Sequence, residues 1–206
     1  MNEPFPLWLH TGAILTAGHR SAPARSAERV PMWDRKTRVE HVLRAFLRVC
    51  QNVVIVGECT DLDFGSEQRV QTIEFSGSNP NPLAWLDTVL SGGRDTQYLV
   101  ATCDQPFLTV PLLSRLTEGR PESPHLFMIP RGTSFHPFPG YYPASILPSV
   151  ERVLSSDKPD IRELIHQVTP LWVPLSEREE YHLLSINSPD QLGRLQRLSG
   201  NNTVSY

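Results

Sequence analysis

The sequence predicts an α/β fold, a mostly parallel sheet with helices on both faces, in a single domain of 206 residues. Three short apolar runs carry that expectation: Thr11 to Leu15 (TGAIL), Val53 to Val56 (VVIV) and Tyr98 to Thr102 (YLVAT). Each has the length and continuity of a strand covered on both faces. Helical patterns separate them, and that alternation winds a parallel sheet. The three runs are therefore expected as neighbouring parallel strands, with Gly18 and Asp104 at the same end of the sheet.

The elements follow in order. Thr11 to Leu15 runs into Ala17-Gly18 and a polar, alanine-rich loop from His19 to Met32. Val39, Val42, Leu43, Phe46, Leu47 and Val49 recur at helical spacing, which predicts a helix over Arg38 to Val49. Val53 to Val56 is four β-branched residues in a row. An irregular stretch, Glu58 to Asn81, contains a minor strand at Val70 to Phe75. Asn81-Pro82 starts a helix, with Asn as cap and Pro in the first turn. Tyr98 to Thr102 ends at Cys103-Asp104, and Thr109 caps a helix carrying Val110, Leu113 and Leu116. In the second half Leu126 to Ile129, Phe138 to Tyr142, Leu171 to Pro174 and Leu183 to Ile186 read as strands. Ser145 to Leu154 and Ile161 to Val168 read as helices, and Ser188-Pro189-Asp190-Gln191 as a capping-box start.

Composition narrows the function. The net charge is −3, whereas a chain that wraps a phosphate backbone carries a basic excess; nucleic acid is not the expected partner. The three cysteines include no Cys-x-x-Cys pair, which argues against a zinc cage or a disulfide framework and for reduced thiols in the cytoplasm. No apolar run reaches bilayer length. The start, MNEPFPLWLHTG, lacks the pattern of a signal peptide. The 19 prolines are scattered and read as loop and helix-start punctuation.

In parallel sheets ligands bind beyond the carboxyl ends of the strands. Two segments fall there: the loop after Leu15, and Cys103-Asp104-Gln105-Pro106-Phe107. A carboxylate at a strand end beside a proline-stiffened turn suits a hard cation such as Mg²⁺; the competing reading of Asp104 is a cap for the following turn. Backbone N–H groups of the first loop can cradle phosphates, with Arg25 and Arg29 among its cations; a solvated surface loop is the alternative. His136 reads as a turn histidine or a site residue, Asn187 as a ligand or a turn residue, and Tyr141-Tyr142 as packing.

The order of these segments resembles a known family. Thr11-Gly-Ala-Ile-Leu-Thr-Ala-Gly18, Val39-Glu-His-Val-Leu43, Val53 to Val56, Pro82-Leu-Ala84, Cys103-Asp-Gln-Pro-Phe-Leu108, His136-Pro137 and Ile186-Asn-Ser-Pro-Asp190 are similar to molybdenum cofactor guanylyltransferases, over about residues 11–198. The resemblance implies a Rossmann-like nucleotidyltransferase fold and transfer of GMP from GTP to Mo-molybdopterin, with Mg²⁺ and release of pyrophosphate. It implies a nucleotide-binding role for Leu15, Thr16, Ala17, Gly18, Asp104 and Asn187, and makes Asp104 the metal ligand. Molybdoenzymes or other cofactor-biosynthesis proteins would be partners.

The first loop departs from the family pattern. Ala17 replaces the first of two glycines, and the family arginine and lysine fall on Ala22 and on Ala27 or Glu28. Arg25 and Arg29 are then the nearest cations to offset charge on the departing pyrophosphate. Two other readings follow: a catalytically degenerate relative that binds nucleotide or a partner, and a cytidylyltransferase of the same family.

Overall fold

Three apolar runs and the helices between them build the half of the protein that carries the candidate site. The computed structural model describes residues 8–16, 37–57, 64, 67–75, 81–117, 127–131 and 134–186. Along the chain run β1 (Trp8–Leu15), α1 (Arg38–Phe46), β2 (Cys50–Gly57), β3 (Val70–Glu74), α2 (Pro82–Ser91), β4 (Gln97–Thr102) and α3 (Val110–Thr117). Then come β5 (Phe127–Arg131), β6 (Ser134–Pro143), α4 (Leu147–Leu154), α5 (Ile161–Val168), β7 (Leu171–Trp172) and α6 (Glu177–Glu180).

The seven strands form one sheet in the order β3-β2-β1-β4-β6-β5-β7. β1 is parallel to both neighbours, with Ile14 opposite Ile55 and Ala101. β3 continues the parallel set, whereas β6 joins β4 and β5 antiparallel. The sheet is thus mostly parallel, as expected. Chain order runs outward from β1 to β3, then crosses back to β4 on the other side of β1. That reversal makes a crevice at the carboxyl ends of β1 and β4.

Alternation along the strands divides the core. Ile14, Val53, Ile55, Leu99 and Ala101 face Val39, Val42 and Phe46 of α1 and Leu112, Leu113 and Leu116 of α3. Ala13, Leu15, Val54, Val56 and Val100 face α2, α4 and α5. Side chains two apart share a face, so each strand of a two-sided core must be apolar throughout. All four residues of Val53 to Val56 are buried. Tyr141 and Tyr142 are both buried, one in each half of the core, which assigns them to packing.

Helix starts match their caps. Asn81 Oδ1 accepts from the Ala84 N–H at 2.9 Å, with Pro82 in the first turn. Thr37 and Glu40 close a capping box on α1.

Several boundaries differ from expectation. α1 stops at Phe46; Val49 packs in the same core from the turn that enters β2. Ser145 to Leu154 is not one helix: a 3-10 turn at Ala144–Ile146 precedes α4, where Pro148 restarts the chain in the first turn. The expected strand over Leu171 to Pro174 shrinks to Leu171–Trp172, since Val173 turns into the core and Pro174 has no N–H for a ladder. Leu183 to Ile186 is not a strand. A 3-10 turn at Tyr181–Leu183 leads into irregular chain in which Leu183 and Ile186 are buried anchors. The helix start at Ser188 lies outside the described residues. Among the described residues no helix is long and apolar enough to cross a membrane.

Candidate active site at the carboxyl ends of β1 and β4

The crevice is floored by backbone hydrogen bonds between neighbouring strand ends. Cys103 N–H donates to the Leu15 carbonyl at 3.0 Å, and Thr16 N–H to the Val56 carbonyl at 2.9 Å. Thr16 Oγ1 donates to the same carbonyl at 3.1 Å. Leu15 and Thr16 therefore sit at the end of the sheet from which Asp104 projects. The Leu15 side chain is buried in the α2-side core, so what it offers the crevice is backbone position.

Gly57 closes the adjoining strand against Thr16. Its φ is +135°, and a Cβ there would stand 2.1 Å from Thr16 Oγ1 and 2.6 Å from the Thr16 carbonyl oxygen. Only glycine fits both the dihedral and the approach.

Asp104 occupies the turn after β4, half-buried. Its Oδ1 is buried and has no hydrogen-bond partner among the described residues. A carboxylate oxygen withdrawn from water without a donor is costly, and a cation is the natural complement. Among the described residues no group of three or more His, Cys, Asp or Glu is placed to hold an ion. An ion at Asp104 would therefore take most of its ligands from phosphate oxygens and water, the usual mode of Mg²⁺ at nucleotides. The residues present fit that ion.

Two buried side chains support the turn. Gln105 is 3% exposed. Its Nε2 donates to the Phe138 carbonyl at 2.9 Å and the Leu183 carbonyl at 3.4 Å, while its Oε1 accepts from Thr102 Oγ1 at 3.2 Å. Gln105 thus ties β4, β6 and the Tyr181–Leu183 turn together beside Asp104. Ile186 N–H donates to the Asp104 carbonyl at 2.7 Å, and the Ile186 carbonyl accepts from Nη1 of buried Arg38. Farther out, Arg115 of α3 pairs with Glu179 of α6 and donates to the Pro174 carbonyl at 2.6 Å. The Ser176 N–H, then Arg115 and the Ser176 hydroxyl, hold the Glu179 carboxyl down at about 2. These contacts fasten the chain that leads to Ile186.

Of the residues singled out in the sequence, Leu15, Thr16 and Asp104 meet at one end of the sheet. Ala17, Gly18, Arg25, Arg29 and Asn187 lie outside the described residues. His136 is half-buried on β6 opposite Ile129. Sequence reasoning did not assign a site role to Arg38, Gln105 or Gly57. Gln105 stood inside the quoted Cys103 to Leu108 segment; the other two carried no local signal.

Comparison with known proteins agrees with this geometry. Residues 12–201 match the model of the MobA-like NTP transferase domain. A probable molybdenum cofactor guanylyltransferase of Flavobacterium johnsoniae is 23% identical over 182 residues, 88% of this chain and 94% of that protein. The structure of molybdopterin-guanine dinucleotide biosynthesis protein A from Archaeoglobus fulgidus superposes with a TM-score of 0.74 at 20% identity, covering 93% of this chain and 99% of that one. A Mycobacterium tuberculosis protein solved in complex with manganese gives 0.64 at 18% identity, covering 92% and 98%.

Proposed function

Because this chain belongs to the MobA-like NTP transferase family and has its Rossmann-like nucleotidyltransferase fold, we propose that it transfers GMP from GTP to Mo-molybdopterin and releases pyrophosphate. The observation that supports the metal-nucleotide part is the buried Oδ1 of Asp104, without a donor among the described residues, at the switch point of the sheet. The acceptor is taken from the relatives, a probable molybdenum cofactor guanylyltransferase and a molybdopterin-guanine dinucleotide biosynthesis protein.

In this reading the acceptor's phosphate oxygen attacks the α-phosphorus of GTP. One P–O bond forms, the bond to the β-phosphate oxygen breaks, and pyrophosphate leaves with that electron pair. Such transfer depends on positioning and charge stabilisation. Mg²⁺, when bound, neutralises phosphate charge and polarises the α-phosphorus. Asp104 holds that ion. Backbone groups of Leu15 to Gly18 receive the nucleotide, Asn187 adds a polar contact, and Arg25 or Arg29 offsets charge on the leaving group. Residues 1–206 act as one domain in the cytoplasm, with molybdoenzymes or cofactor-biosynthesis proteins as partners.

Pyrophosphate release tests the proposal. The protein is incubated with GTP, CTP or ATP, with and without Mg²⁺ and Mo-molybdopterin. GTP should give acceptor- and metal-dependent release, with CTP and ATP well behind. Preference for CTP would change the base, and nucleotide binding without release would point to a degenerate relative.

A further inference from the structure

Arg38 has the environment of a functional residue that no pattern in the sequence marks. It is the first residue of α1, where the helix dipole favours acidic side chains, so its charge is misplaced for helix stability. It is only 4% exposed. Nη1 donates to the Ile186 carbonyl, while Nε is buried with no partner among the described residues. No carboxylate of the described residues pairs with it. A buried guanidinium without a counter-ion is expensive, and replacing it by an apolar side chain would commonly be neutral or stabilising. The contacts made by the described residues therefore do not account for it through stability of the fold alone.

Its hydrogen-bond partner among the described residues, Ile186, leads to the crevice. Ile186 is held at both of its backbone groups: its carbonyl accepts from Arg38, and its N–H donates to the Asp104 carbonyl at 2.7 Å. The next residue in the chain is Asn187.

We infer that Arg38 is a positioning residue of the nucleotide site: it pins the backbone of Ile186 against the Asp104 turn and keeps a positive charge on the far side of that residue from the turn. The inference rests on the nucleotidyltransferase reading. The pin fixes Ile186 against the Asp104 turn, and a charge that no carboxylate of the described residues pairs with lowers the energy of a polyphosphate brought to Asp104. Lysine cannot replace it fully, because an ammonium lacks the rigid fork that holds a carbonyl and presents further donors at once.

The test compares wild type, Arg38→Met and Arg38→Lys in the full chain. Amide exchange at Ile186 reads the pin, and the salt dependence of Mn²⁺–GTP affinity reads the charge. Arg38→Met should speed Ile186 exchange and weaken Mn²⁺–GTP binding, each by about tenfold or more, the scale of a lost charged hydrogen bond. The amides of Leu99 and Val100 should keep their protection. Arg38→Lys should also speed Ile186 exchange but retain the salt dependence that Arg38→Met loses. A purely structural role would move the exchange in both variants and leave the salt dependence alike in all three proteins, which overturns the inference. So would wild-type exchange at Ile186 in Arg38→Met, or in Arg38→Lys should the methionine variant not fold. A wild type that binds no Mn²⁺–GTP counts against the nucleotidyltransferase reading and is visible without any variant.

Discussion

Asp104→Asn is expected to abolish most turnover while leaving the fold intact. The substitution keeps the shape of the side chain and removes the charge that retains a cation. Loss of a group that stabilises transition-state charge typically costs roughly 10²–10³ in rate, and that is the expected fall in GTP-dependent pyrophosphate release. Melting should barely change. The Asp104 backbone contact to Ile186 uses the carbonyl, which the substitution keeps, and Oδ1 makes no hydrogen bond among the described residues. If Asp104 were only a turn residue, the pattern would invert: about 1 kcal/mol of stability or less would be lost, and turnover would stay. Steady-state pyrophosphate assays and thermal melting on the same preparations separate the two.

Gly57→Ala should damage both stability and the crevice. The new methyl would meet the Thr16 side chain and backbone at distances no folded chain tolerates, at a φ of +135° that L-residues rarely adopt. The dihedral alone costs about 1–3 kcal/mol. For a chain of this size each kcal/mol lowers Tm by roughly 2–4 °C, so calorimetry should show a drop of several degrees. Relief of the clash must displace Thr16, from which the chain enters the proposed nucleotide-binding segment, so GTP affinity should fall as well. Gly93→Ala is the control. Its φ is +61°, but a Cβ there meets only the Ser91 carbonyl at 4.0 Å, so affinity for GTP should be unaffected.

The half of the fold that holds the site was legible because its strands are buried on both faces. Val53 to Val56 and Tyr98 to Thr102 have no polar face, and the Asn81-Pro82 pair announces a helix by local hydrogen-bond chemistry. The antiparallel half reads less well. β6 contains Pro137, Pro139 and Pro143, residues that argue for turns, yet it pairs with both β4 and β5 around a register shift between Met128 and Ile129. Leu183 and Ile186 suggested a strand because apolar residues close together look alike whether they form a ladder or anchor irregular chain. The site shows the same division. Asp104 is announced by its own neighbours. Arg38 depends on a carbonyl 148 positions away, and Gln105 on carbonyls of β6 and of the Tyr181–Leu183 turn. Gly57 is constrained by the adjacent strand. No local pattern encodes such contacts.

The central claim is that a metal–nucleotide complex binds at the carboxyl ends of β1 and β4, on Asp104. Paramagnetic broadening of backbone amide signals by Mn²⁺–GTP in the full chain locates the ion directly, with Mg²⁺–GTP as the diamagnetic reference. Broadening should be strongest at Leu15, Thr16, Cys103, Asp104 and Ile186. It should fade toward Thr11 and Tyr98, roughly 13 Å back along the strands at about 3.3 Å per residue. In Asp104→Asn it should require a higher Mn²⁺ concentration. Broadening centred on any other surface, or a profile that Asp104→Asn leaves unchanged, would contradict the account.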